Sequence, residues 1–196
     1  MHLLAAAVAT AALLPPPAPA VPELPSRAVG VPHAGRLVHG VQLPEQGAAF
    51  FTWDWGTDSS PNRDWRRWGT SRTVTTTLTV LAEFHAAHPD APRIGVADLS
   101  RPRGGTFDAR YGGSGHASHQ NGRDVDVTYP RKDRLERPPL RAAQIDRTLA
   151  QDLLDRFVRA GATAVFIGPD TGLTRKRRLV QWLSNHTDHM HVRFPP

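Results

Sequence analysis

Five of the chain's ten histidines fall in two short stretches, each with aspartate beside them. The first runs Gly115-His116-Ala117-Ser118-His119-Gln120-Asn121-Gly122-Arg123-Asp124-Val125-Asp126, the second Asn185-His186-Thr187-Asp188-His189-Met190-His191-Val192. Imidazole and carboxylate are the side chains that bind divalent metals and move protons near neutral pH. The spacing inside each stretch adds geometry. Residues two apart on a strand point to one face. Asp124 and Asp126 therefore share a face opposite Val125 and Val127, and His189 and His191 share a face opposite Met190 and Val192. If these two strands are neighbours, Asp126 and His191 meet across the sheet. His119, seven residues before Asp126 and arriving from a loop, can complete the group. Two imidazoles and one carboxylate with an open fourth position make a catalytic type of zinc site. A half-buried sheet also puts polar residues on one face. The residue types here, His, Asp and Asn flanked by Gly rather than Lys, Glu and Thr, favour a site.

Composition narrows the chemistry further. The chain has no cysteine, which removes disulfides, thiolate-bound zinc, iron–sulfur clusters and thiol catalysis. Hydrophobic residues make up 39% and charged residues 21%, which suits one packed domain. The net charge of +6 favours an anionic partner: nucleic acid, membrane or an acidic polymer.

Several elements must position the histidines. The spacing predicts strands over residues 36–41 and 50–55, and a helix from Ser71 to about His88 with Val74, Leu78, Leu81 and Ala82 as its apolar stripe. It predicts a buried strand over 93–98, a Gly- and His-rich loop over 100–121, and a period-two strand over 122–128. A second helix carries Ile145, Leu149, Leu153, Leu154, Phe157 and Val158 and ends near Gly161. Residues 164–167 read as a short strand, 179–183 as the end of a basic helix, and 189–194 as the last strand. Strands and helices mix without regular βαβ alternation, so an α+β single domain is expected, with helices on a small, mostly antiparallel central sheet.

Residues 3–14 form an apolar run too short to span a bilayer and suited to a signal-peptide core, with Ala18-Pro19-Ala20 as the cleavage pattern. The expected division is a signal peptide at 1–20, a Pro-rich arm at 21–32 and one catalytic domain at 33–196. No other stretch has the length and apolarity of a membrane span.

The two histidine motifs together resemble the penicillin-insensitive murein endopeptidases, within the zinc superfamily of lysostaphin-type enzymes, D-alanyl-D-alanine peptidases and the hedgehog domain. The second motif reads His186-x-x-His189-Met190-His191-Val192-Arg193 in that pattern, and weaker similarity includes Gln42-Leu43-Pro44 and Ile94-Gly95-Val96-Ala97-Asp98. The resemblance implies a hedgehog/D-Ala-D-Ala-peptidase-like fold and one Zn²⁺ per chain held by His119, Asp126 and His191. It implies His189 and His186 as catalytic histidines and His116 as a further active-site residue. The implied substrate is peptidoglycan, cut between D-alanine and meso-diaminopimelate outside the cytoplasm. Stem peptides, and not nucleic acid, are then the expected partner. Relatives of this pattern carry cysteines; this chain has none. A zinc D,D-carboxypeptidase, another amidase of the same fold, or a non-catalytic wall-binding relative are the alternatives. Asp124 either orients a ligand or faces solvent. Arg101, Arg103 and Arg110 are candidates to hold a substrate carboxylate. The tryptophans at 53, 55, 65 and 68 either pack the core or line a groove. His85 and His88, three apart on the first helix, read as a solvated helix end.

Overall fold

The computed structural model describes residues 25–111, 116–174 and 178–196. The expected signal peptide, most of the basic run at 175–178 and Gly112–Gly115 lie outside them.

In chain order the strands are β1 (Arg27–Val31), β2 (Ala34–Val38), β3 (Val41–Gln42), β4 (Gln46–Gly47), β5 (Phe50–Thr52) and β6 (Trp68–Gly69). Helix α1 (Ser71–Ala87) and strands β7 (Ile94–Val96) and β8 (Asp124–Thr128) follow. Then come α2 (Arg147–Arg159), β9 (Ala164–Ile167), β10 (Val180–Trp182) and β11 (His189–Arg193). A seven-stranded mixed sheet in the order β10-β9-β11-β8-β7-β5-β4 forms the centre, with β1–β2 and β3–β6 as small separate ladders. The β10–β9 and β5–β7 pairs are parallel and the other pairs of the large sheet antiparallel. The architecture is the expected α+β single domain.

Helix α1 starts where the Thr70 hydroxyl accepts a 3.1 Å hydrogen bond from the backbone N–H of Thr73, filling one of the donors a helix start leaves open. Its buried face is Thr73, Val74, Thr77, Val80, Leu81 and Phe84. The expected stripe was rotated: Ala82 is exposed and Leu78 only half-buried. Asp146 caps α2 in the same way, accepting from Leu149. That helix buries Ala150, Leu153, Leu154, Phe157 and Val158, and the two helices pack side by side on one face of the sheet. Met190 and Val192, with Val125 and Val127, are fully buried on that same side and form the floor under the helices. The opposite face at β8 and β11 is left for His189, His191, Asp124 and Asp126.

Two expectations change. Residues 179–183 do not end a helix: Val180–Trp182 is an edge strand running parallel to β9, with Val180 buried against the core. A Val-Gln-Trp segment fits a pleated edge better than a helix turn. The proline-rich arm also contributes structure, because Arg27–Val31 pairs with Ala34–Val38 as a hairpin. That hairpin is sewn to the histidine loop, where Gln120 donates to the Pro32 carbonyl at 2.9 Å and Asn121 to the Gly30 carbonyl at 3.2 Å. Gly104, at φ +71°, lets the loop close on itself: a Cβ there would sit 2.1 Å from the Gln120 carbonyl oxygen.

Candidate metal centre and active site

Strands β8 and β11 are direct neighbours, and their register sets His191 opposite Asp126 and Arg193 opposite Asp124. The cross-strand meeting expected from the period-two pattern is present. His191 Nδ1 lies 3.0 Å from Asp126 Oδ1 and 3.1 Å from His119 Nε2. His119 Nε2 is 3.3 Å from Asp126 Oδ2. His119, Asp126 and His191 are all buried, and a cleft of about 530 Å³ opens over them.

His119 is held by two anchors. Its Nδ1 faces the Leu99 carbonyl at 2.7 Å, and its backbone N–H donates to Asp124 Oδ2 at 3.1 Å. The first bond makes Nδ1 the protonated nitrogen and leaves the Nε2 lone pair pointing into the site. The residue takes a left-handed backbone, φ +66°, to turn its ring inward from the loop. Burial pushes the His119 imidazole below its usual pKa, so it stays neutral there.

Asp124 does not face solvent. It is fully buried, accepts Arg193 Nε at 2.7 Å and lies 3.5 Å from His191 Nε2. It therefore orients one imidazole through the backbone and another through charge. Burial opposes ionisation of Asp124 and Asp126, but the histidines and, at Asp124, Arg193 outweigh it and hold both carboxyls below their usual range. Burial also opposes the charged form of His191, yet Asp124 and Asp126 raise its pKa to about 9.

His116 joins from the loop. It forms, with His119 and Asp126, a group whose ligand atoms lie within 4.8 Å of one another and could hold a metal ion. Its Nε2 is 2.6 Å from Asp98 Oδ2, which leaves Nδ1 on the Asp126 side at 3.9 Å. Asp98 is fully buried and gripped by both arms of Arg66, each at 2.5 Å. Burial lowers the His116 pKa, but Asp98 and Asp126 outweigh it and the net shift is upward.

His186 and His189 face each other across the cleft mouth with ring centroids 4.6 Å apart. His186 Nδ1 donates to the Ser184 carbonyl at 2.9 Å, leaving Nε2 as the free lone pair. Burial, then repulsion from His189, pushes its pKa down. His189 Nδ1 is 2.6 Å from Asp188 Oδ1 and its Nε2 is 3.7 Å from Asp126 Oδ1. The Trp55 ring lies 5.5 Å from the His189 ring.

The structure thus gathers all seven sequence-predicted site residues. It does not gather the predicted arginines. Arg101 spends its guanidinium on the carbonyls of Gly104 and Thr106 and on the Tyr111 ring, and neither Arg101, Arg103 nor Arg110 lines the cleft. Sequence reasoning missed Asp188, Asp98, Arg66, Arg193 and Trp55 as partners of the histidines. It also missed His33, which reaches the cleft from the β1–β2 turn. Asp188, next to His189, and Arg193, two residues after His191 on the same strand, had a local signal; the others are brought in by the fold from distant parts of the chain. Of the tryptophans, Trp53 is core and Trp55 stands at the cleft. His88 is not a free helix end but bonds Asp152 of α2 at 2.9 Å.

The model of one protein family, penicillin-insensitive murein endopeptidase, matches residues 28–166. That span is well over half of the 196 residues. The chain belongs to the penicillin-insensitive murein endopeptidase family. Among curated proteins none matches it. The match to the endopeptidase family contains His116, His119, Asp124 and Asp126 and ends before the second histidine stretch. The β8–β11 pairing supplies the rest, bringing His186, His189 and His191 onto the matched part. A murein endopeptidase is a hydrolase of peptidoglycan, a polymer outside the cytoplasm. No helix among the described residues is long and apolar enough to cross a membrane.

Proposed function

We propose that the chain is an exported zinc metallopeptidase that hydrolyses the D-alanyl to meso-diaminopimelate cross-links of peptidoglycan, with His119, Asp126 and His191 as the zinc ligands. The observation that carries this reading is the convergence of His119 Nε2, His191 Nδ1 and the Asp126 carboxylate at separations of 3.0, 3.1 and 3.3 Å. Ligands at about 2.0–2.1 Å from a tetrahedral ion stand roughly 3.3 Å apart. The donor set fits too: two imidazoles and one carboxylate, with Asp126 Oδ2 buried and without a hydrogen-bond partner. When bound, the ion supplies Lewis-acid polarisation of the scissile carbonyl and makes a water acidic enough to ionise near neutral pH.

The remaining histidines divide the proton work. His186 is neutral at neutral pH, has its Nε2 lone pair free and stands at the cleft mouth, which suits a base that takes a proton from water. His189, backed by Asp188, suits the opposite role. The Asp188 contact at Nδ1 holds the ring with Nε2 toward the site, where it can deliver a proton to the departing amine. His116, fixed by Asp98, forms the side wall where an oxyanion would develop. Among the described residues no glutamate lines the cleft to compete for these roles.

Metal analysis together with mass spectrometry of cross-linked muropeptides tests the reading. Wild type should hold one zinc and yield monomers cut at the D-alanyl bond. Turnover retained by metal-free His191→Ala protein would overturn the ligand set. Release of terminal D-alanine alone would reassign the enzyme as a carboxypeptidase.

A further inference from the structure

Beside the catalytic cleft lies a second pocket of about 310 Å³, lined by Trp55, Asp58, Arg137, Pro138, Thr187 and Asp188 among others. Asn185 borders both pockets, so the two adjoin at that residue. Trp55 and Asp188 wall the second pocket, and both also touch His189.

Arg137 is the unusual member. Its Nε is buried and has no hydrogen-bond partner. Among the described residues its guanidinium makes no hydrogen bond, and its ion-pair contact is a long 3.9 Å to the exposed Asp58. Buried donors are almost always paired, so an unpaired one beside a cleft asks what pairs with it. The segment around it is not loose. Glu136 is bound by Arg93 at 2.8 and 2.6 Å, and the Pro138 carbonyl accepts from Arg131 at 3.2 Å. The chain is tied on both sides of Arg137, whose side chain is 41% exposed; its Nε is buried without a partner and the rest of the guanidinium is open to the pocket and solvent. Arg101, the other arginine considered for a substrate carboxylate, has its guanidinium committed to the Gly104 and Thr106 carbonyls.

We propose that this pocket is a carboxylate subsite in which Arg137 binds a free carboxylate of the stem peptide, on the carbon that carries the scissile nitrogen. A planar guanidinium with open donors matches a carboxylate in two-pronged fashion. The side follows from position: the pocket adjoins the cleft at Asn185 and at Trp55 and Asp188, the contacts of His189, so it takes the half of the substrate whose free carboxylate lies nearest the scissile bond, the amine half. In that half the carbon bonded to the scissile nitrogen also bears a carboxylate. Asn185, which borders both pockets, offers a further polar contact, while the Thr187 hydroxyl is committed to Asp170. This subsite rests on the endopeptidase reading for its substrate but not for its chemistry.

The test pairs two cross-linked muropeptides, identical except that this carboxylate is free in one and amidated in the other. Wild type should favour the acid in kcat/KM by about 10- to 100-fold, the range of a hydrogen-bonded charge, chiefly through KM. Arg137→Ala should cleave acid and amide with similar kcat/KM, and Arg137→Lys should restore part of the preference. A wild-type preference surviving in Arg137→Ala overturns the subsite. A second measurement follows the Arg137 Nε–H signal by NMR while uncross-linked stem peptide is added as acid or as amide. If wild type cleaves neither dimer, the endopeptidase reading has failed. A shift with the acid alone then upholds the subsite, and no shift with either overturns it.

Discussion

Replacing Asp98 by Asn should be among the most damaging single changes near the cleft, although Asp98 is not one of the proposed zinc ligands. Asp98 has no exposed surface, and the Arg66 side chain that grips it is only 5% exposed. The carboxylate accepts Arg66 Nε and Nη2 at 2.5 Å each, Asn62 Nδ2 at 3.2 Å and faces His116 Nε2 at 2.6 Å. Asn keeps the shape but removes the charge and turns an NH₂ toward groups that are themselves donors. The guanidinium is then left dry and uncompensated, a change that costs about 3–5 kcal/mol. For a domain of this size that is a fall in Tm of roughly 6–20 °C. Thermal and urea unfolding of metal-free protein measure it. Glu136→Gln, which loses a half-exposed pair with Arg93, is the control and should cost about 1 kcal/mol or less. A double-mutant cycle with Arg66→Met separates coupling from general damage, since the two changes together should cost much less than their sum. A loss below about 1 kcal/mol in Asp98→Asn, or strict additivity with Arg66→Met, would refute the reasoning.

Zinc at a hundredfold excess over its Kd should stabilise wild type by about 2.7 kcal/mol, and calorimetry should find that gain missing in His191→Ala. Met190→Ala empties a fully buried position under the two strand histidines and should cost about 2–5 kcal/mol in chemical denaturation. Thr70→Ala removes the α1 cap and should cost about 1 kcal/mol by the same assay, with kcat unchanged.

The chemistry of the cleft was legible in sequence wherever it depends on local periodicity. Asp124/Asp126 and His189/His191 alternate with valine and methionine, and alternation alone fixes which side chains share a face. Strand β9 has the bounds expected from its apolar run. The pairing of β8 with β11 could only be supposed, because 65 residues separate Asp126 from His191. What stayed hidden are contacts between residues distant in sequence. Asp98 looks like any strand-end aspartate until β7 lies beside β8 and Arg66 arrives from the η-turn at Asp64–Arg66. Arg137 sits in a run of charges that composition reads as a solvated loop. Its buried Nε without a hydrogen-bond partner appears only in the folded chain. Strand β10 was misread because three residues after a basic run carry too little periodicity to separate strand from helix.

The charges under the cleft favour the cation proposed above. Asp98 has Arg66 and Asp124 has Arg193, but Asp126 has no guanidinium and its Oδ2 has no hydrogen-bond donor. Compensation for Asp126 must come from the imidazoles. His119 cannot give it cheaply, because its Nδ1 proton is committed to the Leu99 carbonyl and burial disfavours a second proton on Nε2. The burden falls on His191, which explains why its pKa is raised to about 9. Yet His191 Nδ1 faces two acceptors at once, Asp126 Oδ1 at 3.0 Å and His119 Nε2 at 3.1 Å. One proton can make one good bond and leaves the other lone pair buried and unmet. A divalent ion in place of that proton would answer all three groups together and would supply the missing positive charge. Asp124 then keeps its role without change, because it acts from the far side of His191 and through the His119 backbone. The same carboxylates that are poorly met in a metal-free site would therefore match a metal-loaded one.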